Sequence, residues 1–509
     1  MAKKIFSCCL TGLACQIIEV EADISNGLPS FSIVGLGDTS VQESRERVRS
    51  GIKNSGANFP PTRKTVNLAP AEIRKQGSLF DLPIALSILI ASEQVDPKHF
   101  INSIIIGELS LDGSVKKIQG ALAIAQHAKE RGFTRLFLPA QNAKEAGLIT
   151  DLEIYPIKHL KELILFSQNP ASLKIHFGNT LERIKQGLKN KQSTPLFDQI
   201  VGLQTAKRAL CVAAAGGHNF LLVGPPGTGK TILARAFAEL TPAMSNKEIF
   251  ETTKIFSIAG MLEEEIPLIV KRPFREVHHT ASLISVTGGG GINPRPGEIS
   301  LAHNGILFFD EITEFPSSIL EALRQPLEDK FININRAKFS IKFPANFIFA
   351  ATMNPCPCGY KNDPKIKCIC RDYQIKNYQR KISGPILDRF DIMLEVPLIP
   401  LRNIFNNGKN SETQILRQTI SNAKNFQIER FENSPQIGKN SDMTIDEIRM
   451  YCEIDKETEK FLNKAGEERH LSNRAYLKIL KIARTIADLD QSSQIKHEHV
   501  TEALQYRLK

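Results

Sequence analysis

Residues 220–231 read FLLVGPPGTGKT, and this stretch constrains the fold more than any other in the chain. Four apolar residues make a short buried strand, a glycine-rich turn follows, and residues 232–240 (ILARAFAEL) continue as a helix. Strand, loop and helix in that order are the setting a phosphate-binding loop needs, and they imply an α/β core. Gly224, Gly227 and Gly229 let backbone N–H groups wrap an anion. Pro225, Pro226 and Thr228 complete the loop, and the helix start adds its dipole. Lys230 then meets the β- and γ-phosphates of ATP, and Thr231 offers a hydroxyl to Mg²⁺.

Two later segments fit the same chemistry. Residues 305–311 (GILFFDE) form a second apolar strand ending in two acids. Asp310 would hold Mg²⁺ and Glu311 would polarise the attacking water. A strand ending in acids is common by itself and becomes specific only behind a phosphate loop. Residues 346–354 (NFIFAATMN) make a third such strand. Asn354 at its tip would position water near the γ-phosphate; without the other two segments it would read as a turn residue before Pro355.

The chain has 509 residues, 42% of them hydrophobic, enough for about three domains of roughly 150 residues. A net charge of +11 favours polyanion partners, with an anionic membrane surface or plain solubility as the alternatives. No run approaches the ~18 apolar residues of a membrane span. The longest, 82–91 (LPIALSILIA), suits a buried helix. The start, MAKKIFSCCLTGLAC, imitates a lipoprotein signal, but residues 16–22 (QIIEVEA) continue close to strand alternation. Residues 5–22 are therefore read as a strand or hairpin, and the chain as cytoplasmic, with no membrane partner. Nine cysteines in so long a chain do not look like a secreted disulfide framework.

Composition divides the chain into residues 1–165, a polar linker 166–196 with one short helix, an ATPase core 197–400, and a C-terminal domain 401–509. In the first part, 103–111 reads as a strand, 118–131 as a helix stopped by Gly132, and 135–139 as a strand. The last part is rich in Asn and Lys to Asp442 and reads as irregular there, then helical from Thr444.

Several long motifs carry a resemblance: AGGHNFLLVGPPGTGKT, RPFREVHHTAS, GGGGINPRPGEISLAHNGILFFDE, EALRQPLE, AATMNPCPCG and ISGPILDRFD. They are similar to magnesium-chelatase-like AAA+ ATPases, and specifically to the ComM/YifB family of bacteria, over nearly the whole chain. The resemblance implies a P-loop AAA+ core with a helical C-terminal lid and a ring, expected to be a hexamer. Arg389, in SGPILDRFD, matches the arginine that completes a neighbour's ATP site; its plain alternative is a surface ion pair with Asp388 or Asp391. Arg474, in LSNRAY, matches the second sensor, which touches ATP from the lid, and Arg324 is a further candidate. Residues 330–343 read as a hairpin that the resemblance aims into the ring pore, with Arg336 and Lys338 near its tip to track a phosphate backbone. The loop holding Arg295 resembles a second pore-facing insert, and for both the alternative is a solvated turn. His278 and His279 are taken as structural, as adjacent residues of a helix point apart.

Residues 1–165 resemble the Lon-protease domain, an α+β fold related to ribosomal protein S5. The nucleophile position falls at Leu79, one residue from Ser78, and the lysine position near Leu122. A serine without its base is inert, so no peptidase activity is expected.

Residues 353–381 hold Cys356, Cys358, Cys368 and Cys370 as two C-x-C pairs nine residues apart. Such thiolates can surround Zn²⁺ tetrahedrally, or remain unligated thiols. Seven cations against two aspartates, including Lys365, Lys367 and Arg371, would make the bound loop a basic surface suited to DNA. The resemblance as a whole implies an ATP-driven helicase on single-stranded and branched DNA, promoting branch migration in natural transformation and recombination. A chelatase motor subunit, an ATP-dependent protease and a protein remodeller are the rivals.

Overall fold

The computed structural model describes residues 4–75, 77–178, 195–290, 294–336, 339–361, 363, 366–398, 412–434 and 437–507. Two sheets organise it. The N-terminal sheet has seven strands in the order Ser30–Val34, Arg63–Ala69, Ala14–Ser25, Lys4–Thr11, Ser103–Ile105, Arg135–Pro139, Glu153–Ile157. Its first hairpin pairs Lys4 with Glu21 through to Thr11 with Ala14, so the alternation read over 5–22 is a hairpin. The helix Asp81–Ala91 lies in the core, with residues 81–90 all buried. The strand expected over 103–111 breaks after Ile105. Gly107 there accepts from Leu82 N (3.0 Å) and donates to Leu79 O (2.9 Å), so its backbone is spent on the neighbouring helix start.

The second sheet has five parallel strands in the order Phe274–Val277, Ile306–Phe309, Ile348–Met353, Phe220–Val223, Ile392–Glu395. Every residue of the three central strands is buried. This is why they read as unbroken apolar runs, as strands covered on both faces do. The register sets Val223 beside Met353 and Phe309 beside Ala351. The phosphate loop, the acid pair and Asn354 therefore leave the sheet at one edge, where ligands of parallel sheets bind.

The C-terminal part is helical: Glu412–Arg430, Ile445–Tyr451, Lys456–Glu468, Asn473–Leu489 and His497–Gln505. The first of these corrects the irregular reading of 401–442 over its own residues; 401–411 and 435–436 lie outside the described residues. Its buried face is only Thr413, Ile420, Ala423 and Gln427, too thin and polar a stripe to show as periodicity. Gln427 is buried because its amide donates to Ala215 O at 3.0 Å, on the helix Gln204–Gly216. One apolar core joins that helix to the lid.

The N-terminal domain docks on the ATPase helix Asn246–Ala259. Gly120 N donates to Ser257 O (3.1 Å), the Ser257 hydroxyl donates to Glu145, and Leu122 and Leu148 pack against Met244, Ile249 and Leu268. Leu122, where the Lon lysine would fall, is thus sealed beneath the ATPase core. Ser78 Oγ donates to Glu108. His278 and His279 lie beyond the strand Phe274–Val277, not on a helix, and both are exposed. The remaining part of the linker, 179–194, lies outside the described residues.

Candidate functional site: an ATP site, its arginines and a thiol cluster

The strand Phe220–Val223 runs into the phosphate loop, and the helix Lys230–Phe237 leaves it. Gly227 and Gly229 have φ of 79° and 85°, conformations that a side chain resists, and a Cβ on either would meet nothing within 4 Å. The loop is therefore an open cradle of backbone. Thr228 Oγ1 closes its base on Pro225 O at 3.0 Å. Lys230 is buried, and its Nζ donates to Gly224 O (2.7 Å), Pro225 O (2.8 Å) and Asn354 Oδ1 (3.2 Å). Burial pushes this ammonium below the usual lysine range, against the pull of Asp310 and Glu311. An incoming polyphosphate would supply the missing countercharge.

Thr231 Oγ1 lies 3.0 Å from Asp310 Oδ2, so hydroxyl and carboxylate already share one small space. Together they suit Mg²⁺, which takes oxygen ligands and leaves room for phosphate and water. Glu311 has a left-handed φ of 52°. That turn aims its carboxylate toward Asn354, whose Nδ2 is 3.5 Å from Glu311 Oε1. Thr352, absent from the sequence reading, holds the pair in register: its hydroxyl donates to Asp310 Oδ1 (2.5 Å) and accepts from Glu311 N (2.9 Å). The only signal was a lone hydroxyl in an apolar strand, two residues before Asn354.

Arg389 and Arg474 are brought together elsewhere. Arg389 pairs with Glu328, not with Asp388 or Asp391, and Arg474 Nη2 lies 3.7 Å from the same Glu328 carboxylate. Among the described residues neither bonds to the phosphate loop. Arg324 pairs with Glu321 at 2.8 Å. Two residues after Arg389, Asp391 is buried between Lys478 Nζ (2.8 Å) and His218 Nδ1 (3.3 Å). Burial opposes its charge, but Lys478 and His218 outweigh that and hold the carboxyl far below the usual range. Lys478 and Arg474 both stand on the helix Asn473–Leu489, so two ion pairs, with Asp391 and with Glu328, join this lid helix to the core.

The four cysteines cluster. Cys356 Sγ lies 3.4 Å from Cys358 Sγ and 3.7 Å from Cys368 Sγ, with 3.6 Å between the latter two, and all four sulfurs fall within 4.8 Å of one another. Sulfurs about 2.3 Å from Zn²⁺ in a tetrahedron have edges of about 3.8 Å, so the donor set fits that ion. Backbone N–H groups, that of Tyr360 foremost, pull the Cys358 thiol down to about 6. Around the cluster Lys367 and Arg371 are exposed; Lys365 lies outside the described residues.

The hairpin expected over 330–343 is Phe331–Arg336 paired with Phe339–Pro344. Arg336 ends its first strand, and Lys338 lies outside the described residues. Arg295 is exposed on the short strand Arg295–Pro296, which pairs with Gly288–Gly289. No helix among the described residues is long and apolar enough to cross a membrane.

The five-stranded sheet, its loop edge and the helical lid are those of an AAA+ ATPase, and the family models place it in the magnesium-chelatase branch. Family models agree: "Magnesium chelatase, subunit ChlI" matches residues 196–404, "Subunit ChlI of Mg-chelatase" residues 20–142, and "Magnesium chelatase, subunit ChlI C-terminal" residues 410–507. Within that branch the chain is 41% identical to the competence protein ComM of Haemophilus influenzae, over 99% of this chain and 97% of that one. It is 39% identical to YifB of Escherichia coli, over 97% and 95%. The chain belongs to the ComM/YifB family. The N-terminal part carries a Lon-like match: Lon protease 2 of Bacillus subtilis is 29% identical over 31% of this chain and 29% of its own.

Proposed function

We propose that this chain is an ATP-driven DNA motor of the cytoplasm that assembles into a hexameric ring and moves branched DNA during natural transformation and recombination. The observation that carries the ring is the position of Arg389 and Arg474. Both stand at one carboxylate, Glu328, and among the described residues neither has a hydrogen bond or ion pair to its own phosphate loop. Two cations held there are useful to a phosphoryl transfer only across an interface, where a neighbour's ATP lies opposite. Both arginines are therefore read as acting on the next subunit's nucleotide.

Within one subunit, Lys230 and the loop N–H groups bind the phosphates, Thr231 and Asp310 hold Mg²⁺, Glu311 takes the proton of the attacking water, and Asn354 orients that water. The bound Mg²⁺ neutralises phosphate charge. Zn²⁺ on Cys356, Cys358, Cys368 and Cys370 staples a polar loop that has little core of its own. That loop offers Lys367 and Arg371, with Lys365, to a DNA backbone, while Arg295, Arg336 and Lys338 serve at the pore. The likeness to a competence protein over the full chain supports the DNA substrate.

The test is ATP-dependent movement of a labelled three-strand DNA junction, with Glu311→Gln as control. The wild type moves the junction, and the variant binds it but leaves it in place. ATP hydrolysis without any DNA binding or movement would overturn the motor reading in favour of a chelatase or protein-remodelling role.

A further inference from the structure

The cysteine segment does more than present cations, because it returns to the ATP site at three points. Cys356 is fully buried and stands two residues beyond Asn354, so whatever holds its sulfur also anchors the end of the strand Ile348–Met353. Gly359, with φ of 85°, lies against the phosphate loop so closely that a Cβ would come within 2.6 Å of Pro226 Cδ. The third point is the helix Asp372–Arg380, which starts two residues after Cys370. Its Tyr378 is buried, and Thr313 Oγ1 donates to the Tyr378 hydroxyl at 2.6 Å.

Thr313 belongs to the short turn Ile312–Glu314 immediately after Glu311. Burial pushes the Tyr378 phenol up, and the hydrogen bonds to its oxygen from Thr313 and from the backbone of Asn354 pull the other way. The adjacent Gln379 Nε2 donates to Pro355 O at 3.3 Å. A single helix thus touches the turn behind Glu311 and the strand end that carries Asn354, the two groups that face each other across 3.5 Å.

We propose that the cysteine module positions the hydrolytic site: the metal-bound sulfurs fix the helix Asp372–Arg380, and Tyr378 and Gly359 set the spacing of Glu311, Asn354 and the phosphate loop. This rests on the reading of the four thiols as a zinc site and needs no DNA. Tyr378 acts through Thr313 and Asn354 and is a positioning residue. A general base and a water-orienting amide work only when aligned, and a misplacement near 1 Å costs up to about 100-fold. Nucleotide affinity, set by the backbone cradle and Lys230, does not depend on that alignment.

The experiment uses the full chain without DNA, so its outcome is independent of the motor reading. Tyr378→Phe removes the hydroxyl and keeps the ring. Its kcat falls about tenfold, while affinity for a fluorescent ADP stays within about twofold and zinc content is unchanged. In parallel, a zinc-selective chelator is applied with Mg²⁺ in excess, and released zinc is read with a chromogenic dye. The kcat falls in step with zinc release and recovers on adding zinc back, with helical circular dichroism retained. Wild-type kcat in Tyr378→Phe, or in zinc-depleted folded protein, overturns the proposal. Purified chain that takes up no zinc overturns it together with the zinc reading, while a motor that moves no junction leaves it standing.

Discussion

Asp391 offers the sharpest test of how the lid is held. Its carboxylate is buried against Lys478 at 2.8 Å, His218 at 3.3 Å and Asn219 N at 3.2 Å. Asp391→Asn keeps the shape and removes the charge. The Lys478 ammonium, itself largely enclosed, is then left with only the Asp388 and Phe390 carbonyls, at 2.5 and 3.1 Å. Breaking one partner of a buried pair costs about 3–5 kcal/mol. At roughly 2–4 °C per kcal/mol for a domain of this size, the core and lid should melt about 6–20 °C lower. Removing both charges, as Asp391→Asn with Lys478→Met, leaves no orphan ion and should recover most of that loss. The sign with pH follows from the depressed carboxyl. Its contribution is complete above the unfolded aspartate value near 3.9 and is lost as pH falls through the lower folded value. The wild type therefore loses stability on acidification, and the Asp391→Asn variant loses less. The assay is calorimetric melting of the four proteins of the cycle between pH 7 and pH 3. An Asp391→Asn loss below 1 kcal/mol, or a double variant less stable than the sum of the singles, would refute the reasoning.

Two other outcomes follow from the same geometry. Arg389→Ala should cut hydrolysis by about 1,000-fold, yet activity should return when its subunits are mixed with Lys230→Ala subunits, because some interfaces then pair an intact arginine with an intact loop; no recovery at any ratio would place Arg389 outside its neighbour's site. Lys367→Gln and Arg371→Gln should each lower by about 1 the slope of log affinity for DNA against log salt, measured by fluorescence anisotropy, and an unchanged slope would remove that surface from the DNA path.

The central strands of the ATPase sheet were legible because each is a short run buried on both faces, and the phosphate loop because its glycines and lysine are consecutive. The helix Glu412–Arg430 was hidden by a buried stripe that includes Thr413 and Gln427, whose burial depends on partners on other elements. The hairpin Phe331–Arg336 with Phe339–Pro344 was readable from alternation, a property of neighbouring residues. The same local reading placed His278 and His279 on a helix, because nothing nearby marked the end of the strand Phe274–Val277.

By itself the sequence determined the local chemistry: a loop that can cradle phosphate, acids at a strand end, four thiols in two pairs, and a family. Tertiary structure alone decided which of these groups meet. Arg389, in the turn before the strand Ile392–Glu395, and Arg474, on the helix Asn473–Leu489, converge on Glu328, while Tyr378 reaches Thr313 from the helix that follows the thiols. The physical reason is that periodicity and motif spacing arise from backbone geometry within one element. Which side chain faces which across elements is decided only when the apolar faces of those elements are buried together.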